Sequence, residues 1–200
     1  MKRVAIVDSG CANVASVSFA LERLGASPEV TFETKAIGAA THVVLPGVGT
    51  AMSFMTRMRE RELTECLRSL RQPCLGICLG MQAMFERSEE GDTETLGIFP
   101  GRIARLPAGD GLTIPHMGWN RLAFDAGSTH PLLEGIDDGA HVYFVHSYYA
   151  VVSERTIATT RHGVPMSAIA ARDNFYGCQF HPERSGHTGA RLLQNFLSLS

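Results

Sequence analysis

A short apolar run, residues 74–77, leads into Gly76-Ile77-Cys78-Leu79-Gly80 and then into a helical pattern through residue 87. G-x-C-x-G at a strand-to-helix junction is the cysteine form of the nucleophile elbow. So sharp a turn holds its central residue in a strained backbone conformation, and the flanking glycines remove side chains that would clash. It belongs at the carboxyl end of a strand in an α/β sheet, so it constrains the fold as well as the chemistry. The following helix N-terminus favours thiolate, the reactive form, and the Leu79 N–H would point at an oxyanion formed during attack. The same cysteine could equally serve as a buried structural residue, since free cysteine is among the most buried types.

The rest of the chain fits such a sheet. Residues 2–7 read as a buried strand. A helix follows with Val14, Val17, Leu21 and Leu24 at helical spacing, capped by Asn13 or a neighbour and closed by Gly25. Strands are expected at 28–32, 42–45 and 74–77, and helices at 51–71 and 79–87. The second half reads as strands at 101–106, 121–124, 141–152, 156–161 and 167–171, joined by Gly/Pro-rich turns. Helical signal returns briefly at Leu132-Leu133 and over 186–199, where Ala190, Leu193, Phe196 and Leu197 form a stripe. This pattern predicts an α/β fold: a central mixed, mostly parallel sheet with helices on both faces, plus added antiparallel strands. Ligands in such sheets sit outside the carboxyl ends of the strands.

Composition narrows the function. With 200 residues, 44% of them hydrophobic, residues 1–200 are expected to form a single domain with its own core. Twenty glycines and nine prolines exclude a coiled coil. Eighteen basic residues face 20 acidic ones without a Lys/Arg block. That argues against a nucleic-acid binder driven by charge and favours a small substrate. No apolar run approaches the ~20 residues of a membrane span. Asp8 interrupts the Val4–Val7 run too early for a secretory segment. Five cysteines, Cys11, Cys66, Cys74, Cys78 and Cys178, are odd in number and irregular in spacing. They point to a reducing compartment, so a cytoplasmic protein is expected.

A second motif, Gln179-Phe180-His181-Pro182-Glu183, supplies what a cysteine nucleophile needs. His181 can take the thiol proton, and Glu183 can hold the imidazole in the right tautomer. Alone, His-x-Glu is more often a surface histidine beside a solvated glutamate; with the elbow, in the order Cys, His, acid, it reads as a triad. Pro46-Gly47-Val48-Gly49 ends the third strand and could be a plain turn or the backbone loop of an oxyanion hole; no Gly-Lys-Ser/Thr follows, so it is no phosphate loop. A zinc site from Cys74, Cys78, Cys178 and His181 would depart from the compact ligand pairs typical of structural zinc. No metal and no cofactor is expected. Cys11 and Cys66 read as structural, and His116, His141 and His146 as satisfied core or surface histidines.

Taken together, these residues resemble the class I, triad-type glutamine amidotransferases. Six stretches carry the likeness further. They are Gly10-Cys11-Ala12-Asn13, Leu45-Pro46-Gly47-Val48-Gly49-Thr50, Gly76 through Gln82, Pro115-His116-Met117-Gly118-Trp119-Asn120, Tyr143-Phe144-Val145-His146-Ser147-Tyr148, and Phe180-His181-Pro182-Glu183-Arg184-Ser185-Gly186. In order and over nearly the whole chain, they are similar to the glutaminase subunits of imidazole glycerol phosphate synthase, a histidine-biosynthesis enzyme. The His-Met-Gly-Trp-Asn and Pro-Gly-Val-Gly segments discriminate this family within the class.

The resemblance implies a heterodimer in which this subunit hydrolyses glutamine to glutamate and ammonia. A (β/α)8-barrel cyclase subunit would receive the ammonia through an internal channel and form imidazole glycerol phosphate and an aminoimidazole carboxamide ribotide. It implies Cys78, His181 and Glu183 as the triad, with Leu79 and the Gly47, Val48, Gly49 loop as the oxyanion hole. Gln82, Ser147 and Tyr148 would hold glutamine, and Asn13, Met117, Trp119, Tyr143 and Arg184 would face the cyclase. It also implies low activity in isolation, raised by ligand on the cyclase, with a peptide flip in the 46–49 loop as the expected switch. Rival readings are a class I glutaminase serving another synthase, a free-standing γ-glutamyl cysteine hydrolase, and an inactive scaffold subunit, the last opposed by the intact triad.

Overall fold

The structure is a computed structural model that describes residues 2–10, 14–109, 111–125 and 127–200. Its centre is built from short apolar strands covered on both faces. β1 (Arg3–Val7), β3 (His42–Gly47) and β4 (Cys74–Cys78) are buried almost end to end, as parallel strands between helices must be. With β2 (Ser27–Thr31) they alternate with α1 (Val14–Arg23), α2 (Thr34–Ala39), α3 (Ala51–Glu60), α4 (Leu63–Arg68) and α5 (Leu79–Ala83). Later come β5 (Arg87–Ser88), β6 (Thr93–Glu94), β7 (Arg102–Arg105), β8 (His116–Arg121), β9 (His141–His146), β10 (Tyr148–Ala150), β11 (Thr156–His162), β12 (Val164–Arg172), β13 (Phe175–Cys178) and α6 (Gly186–Ser198).

The main sheet has seven strands in the order β11-β12-β13-β4-β3-β1-β2. β13, β4, β3, β1 and β2 run parallel, and β12 and β11 add an antiparallel edge. A four-stranded sheet, β10-β7-β5-β6, and the β8–β9 pair complete the described strands. Alternate strand residues point to opposite faces and make two cores. Val4 and Ile6 join Leu21 of α1 and Leu193 and Phe196 of α6. Ala5 and Val7 join Phe54, Met55 and Met58 of α3 and Leu67 of α4.

The α/β class and mixed, mostly parallel sheet agree with the pattern in the sequence; several bounds do not. The expected helix over 51–71 breaks, because Glu62 adopts φ 55° and restarts the chain as α4. At 3.6 residues per turn, an unbroken helix would aim Leu63 about 140° away from Met58. The left-handed residue brings both into one core. The helix after Cys78 is five residues long, not nine. Strand structure lies at 116–121 rather than 121–124, and the run 141–152 divides at Ser147 between two sheets. Helix α2 carried no apolar stripe to announce it, for only Ile37 in it is buried. Asn13, expected as a helix cap, and Cys11 lie outside the described residues.

Candidate active site

Cys78 ends β4 with φ 53° and ψ −112°, the strained elbow conformation that G-x-C-x-G predicts. The glycines around it are dictated by close backbone approach. A Cβ on Gly80 would lie 1.8 Å from the Leu45 carbonyl oxygen, and one on Gly76 would lie 2.7 Å from the Met81 nitrogen. Strand register then sets Gly47 directly beside Cys78. Gly47 itself faces the elbow, since a Cβ there would sit 2.5 Å from the Gly80 nitrogen. The 46–49 loop and the Cys78 elbow are therefore one packed unit.

His181 follows β13 and opens the turn Pro182–Arg184, whose fixed proline geometry returns Glu183 to the imidazole. His181 Nδ1 donates to Glu183 Oε1 at 2.8 Å, and the glutamate side chain is fully buried. The ring's other partner is Cys78. Burial alone would lower the His181 pKa. The contacts with Cys78 and Glu183 more than offset that and push it up to about 10, so the imidazole is held cationic at neutral pH. Ser185, to which the sequence assigned no role, braces this turn: its hydroxyl donates to the His181 carbonyl at 2.7 Å and accepts from the Tyr143 N–H at 2.9 Å.

Cys78 opens onto a cavity of about 410 Å³. Val48, Gly49 and Leu79 form one wall, Gln82 the floor, and Ser147 and Tyr148 part of the opposite wall. Gly47 stands behind that wall rather than in it. Gln82 is buried and spends both amide N–H groups, one on the Tyr148 carbonyl at 2.7 Å and one on Gln179 Oε1 at 2.8 Å. Gln179 is fully buried and donates to the Cys78 sulfur at 3.7 Å. Gln179 opens the second sequence motif with no role legible there, because its partners are about 100 residues away. Glu90, which sequence reasoning missed, lines the cavity and accepts from the Ala51 N–H at 2.7 Å. In sequence it stands among Glu86, Glu89, Asp92 and Glu94, an acidic run with nothing to single it out.

Four of the residues expected at a partner surface lie together on and beside the β8–β9 pair. Met117 and Trp119 are 61% and 56% exposed on one face of β8. Trp119 meets the Tyr143 ring edge-on at 6.0 Å, and the Arg184 guanidinium lies 4.5 Å over that ring. Asn13 lies outside the described residues. The four residues weighed as zinc ligands do not converge: Cys74 and Cys78 occupy opposite ends of β4, and His181 is taken up by Glu183 and Cys78. Among the described residues no group of His, Cys, Asp and Glu could hold a metal ion. Among them, too, no helix is long and apolar enough to cross a membrane. His141 stands exposed on β9, away from the cavity lining.

Residues 5–199 match the family model described as "Glutamine amidotransferase class-I". Relatives named imidazole glycerol phosphate synthase subunit HisH are similar over almost their full length. The Haemophilus influenzae protein is 50% identical over 197 residues, 98% of each chain. That of Xylella fastidiosa is 46% identical over 199 residues, covering 100% of this chain and 98% of the relative. Among solved structures, one titled glutamine amidotransferase superposes with a TM-score of 0.73 at 19% identity, covering 97% of this chain and 96% of that one. A structure titled PurLQS from Thermotoga maritima gives 0.71 at 19% identity, covering 98% of each chain. These last two likenesses concern the fold alone.

Proposed function

The chain belongs to the class I glutamine amidotransferases, and from that premise we propose that it is the glutaminase subunit of an imidazole glycerol phosphate synthase. The observation that carries the reading is a cysteine at φ 53°, beside an imidazole bonded to a buried carboxylate at 2.8 Å, opening on a cavity with room for an amino acid. The full-length likeness to subunits of that name supports the choice within the class. Glu90 brings a carboxylate to the cavity and Arg184 a guanidinium, groups that complement the ammonium and the carboxylate of an amino acid.

The chemistry follows from the geometry. The Cys78 sulfur attacks the side-chain amide carbon of glutamine, forming a C–S bond and a tetrahedral oxyanion. The Leu79 N–H and an N–H of residues 47–49 receive that charge. His181, already cationic, gives its proton to the departing nitrogen, so ammonia leaves and a thioester remains. Water then loses a proton to His181 and attacks the thioester, and glutamate departs with the thiolate regenerated. Glu183 holds the ring through Nδ1 during both transfers. Gln82, Ser147 and Tyr148 hold the substrate.

The proposed partner is a (β/α)8-barrel cyclase seated on the surface of Met117, Trp119, Tyr143 and Arg184, receiving ammonia as one half of a cytoplasmic heterodimer. Exposed Trp and Met beside a stacked Arg–Tyr pair suit an interface anchor. The test is glutamate release from glutamine by the chain alone, with the cyclase, and with cyclase plus its nucleotide ligand. Strong stimulation only in the third mixture is expected. High activity indifferent to the cyclase would keep the triad and overturn the assignment of partner.

A further inference from the structure

The β8–β9 pair carries a polar chain that the proposed chemistry does not use. His116 and His146 sit directly opposite each other in register and are both buried. His146 Nδ1 lies 2.8 Å from the Tyr148 carbonyl oxygen, which only accepts. That nitrogen therefore carries the proton, and in a neutral ring Nε2 is an acceptor. His116 Nδ1, 3.0 Å from that Nε2, must be the next donor. His116 Nε2 in turn must accept, and 3.1 Å away stands the amide nitrogen of Asn120.

The far end fixes the same direction independently. Asn120 Oδ1 accepts from the Arg121 N–H at 2.8 Å, and its Nδ2 also donates to the Arg161 carbonyl at 2.9 Å, so its amide cannot be reversed. The His116 ring is clamped between Phe144 and His162, stacked at 4.8 and 4.3 Å. Burial first, with the charge of His162, pushes the His116 pKa down to about 4. Burial also dominates at His146, pushed down to about 3 despite its bond to Tyr148. Both rings are thus neutral at pH 7, as a one-way chain requires.

The chain ends on the carbonyl that orients Gln82. Tyr148 O receives both His146 Nδ1 and Gln82 Nε2, one for each lone pair. Because Gln179 Oε1 takes the other Gln82 N–H, Gln82 can offer the cavity only its oxygen, an acceptor for an N–H of the substrate. We propose that His116 and His146 are positioning residues: a one-way hydrogen-bond relay from Asn120 that holds in place the Tyr148 carbonyl on which Gln82 is oriented towards glutamine. The relay ties that placement to the strand whose other face exposes Met117 and Trp119. This rests on the glutaminase reading, and its tests separate the two.

The first test is nitrogen-15 NMR of the imidazoles in the full chain at pH 7, which is independent of activity. Both His116 and His146 are expected as neutral rings protonated at Nδ1; an Nε2–H tautomer or an imidazolium at either overturns the relay, whatever the enzyme does. The second compares His116→Leu with His116→Gln, whose amide can both donate to His146 and accept from Asn120. His116→Leu is expected to raise KM for glutamine about tenfold with kcat within about threefold, and His116→Gln to recover most of that loss. Equal loss in both variants, or a fall in kcat alone, overturns the proposal. Should His116→Leu fail to fold, Asn120→Leu removes the terminal donor from the more exposed end and must raise KM in the same direction; an unchanged KM overturns it. Absence of glutamate release by the unaltered protein even with the cyclase and its nucleotide ligand would sink the glutaminase reading and leave the tautomer result standing.

Discussion

At the elbow a Cβ on Gly80 would sit 1.8 Å from a backbone oxygen; on β8, in the β8–β9 hairpin, a Cβ on Gly118 would meet nothing within 4 Å. The elbow wall is backbone packed on backbone, with Gly47, Gly76 and Gly80 allowing β3, β4 and α5 to touch. The hairpin wall is held by polar side chains, from Asn120 through two histidines to Tyr148 and Gln82. One wall places a strained nucleophile and tolerates no added atom. The other sets hydrogen-bond polarity and keeps an aromatic outer face. Rigid positioning thus falls to the part proposed to do the chemistry, and adjustable contacts to the part proposed to meet substrate and partner.

The contrast can be broken most directly at the elbow. Cys78→Ala should lower glutamate release by at least about a thousandfold, measured in the stimulated complex, while the circular dichroism spectrum is retained. The same variant tests the electrostatics. His181 is raised from 6.5 in the unfolded chain to about 10 in the fold, so the stability it contributes is complete below pH 6.5 and is lost as pH rises towards 10. Removing the sulfur should shrink that alkaline loss, read as the pH dependence of denaturant unfolding. An undiminished loss would assign the shift to Glu183 alone.

Gly80→Ala should destabilise the chain by about 3 kcal/mol or more, or prevent folding, because the added carbon meets a carbonyl it cannot displace. Gly118→Ala, with open space but φ 128°, should cost about 1–2 kcal/mol, from backbone strain alone. Similar melting points for the two would erase the distinction between the walls. Trp119→Ala should leave the stability of the isolated chain within about 0.5 kcal/mol and weaken association with the cyclase by about 2 kcal/mol, measured by calorimetry. A destabilised chain with unchanged affinity would make Trp119 a packing residue.

The smallest effect concerns the 46–49 loop. Gly47→Ala cannot test a peptide flip, since its Cβ would strike the elbow at 2.5 Å. Gly49 has φ 95° and no neighbour within 4 Å of an added Cβ. Gly49→Ala should therefore bias the loop by about 1 kcal/mol and change stimulation by the cyclase ligand about fivefold. Unchanged stimulation would take the switch out of this loop.

Legibility followed the same divide. The elbow wall announced itself because its demands are local: a strand, two glycines and a cysteine within five residues. His181-Pro182-Glu183 was legible for the same reason. The hairpin wall was not, because Gln179 meets Gln82 across 97 residues and His116 meets His146 across 30. His116 and His146 read as satisfied core or surface histidines and Gln179 carries no reading of its own; only a partner gives each a polarity. Glu90 was missed because its partner, the Ala51 N–H, lies 39 residues away. The divided helices failed on phase, where the need of Leu63 to share a core with Met58 overrode a helical run.

By itself the sequence determined the α/β class and brought forward Cys78, His181 and Glu183 as the candidate nucleophile, base and acid. Periodicity, turn chemistry and motif spacing act within a few residues, and no packing is needed to read them. The tertiary structure alone decided which atom of Gln82 faces the cavity, that both buried histidines are neutral donors in one direction, and that Gly47 belongs to the elbow. A hydrogen bond has a direction that depends on both partners, and a forbidden Cβ depends on what stands opposite it. Neither is a property of a residue until the chain has folded around it.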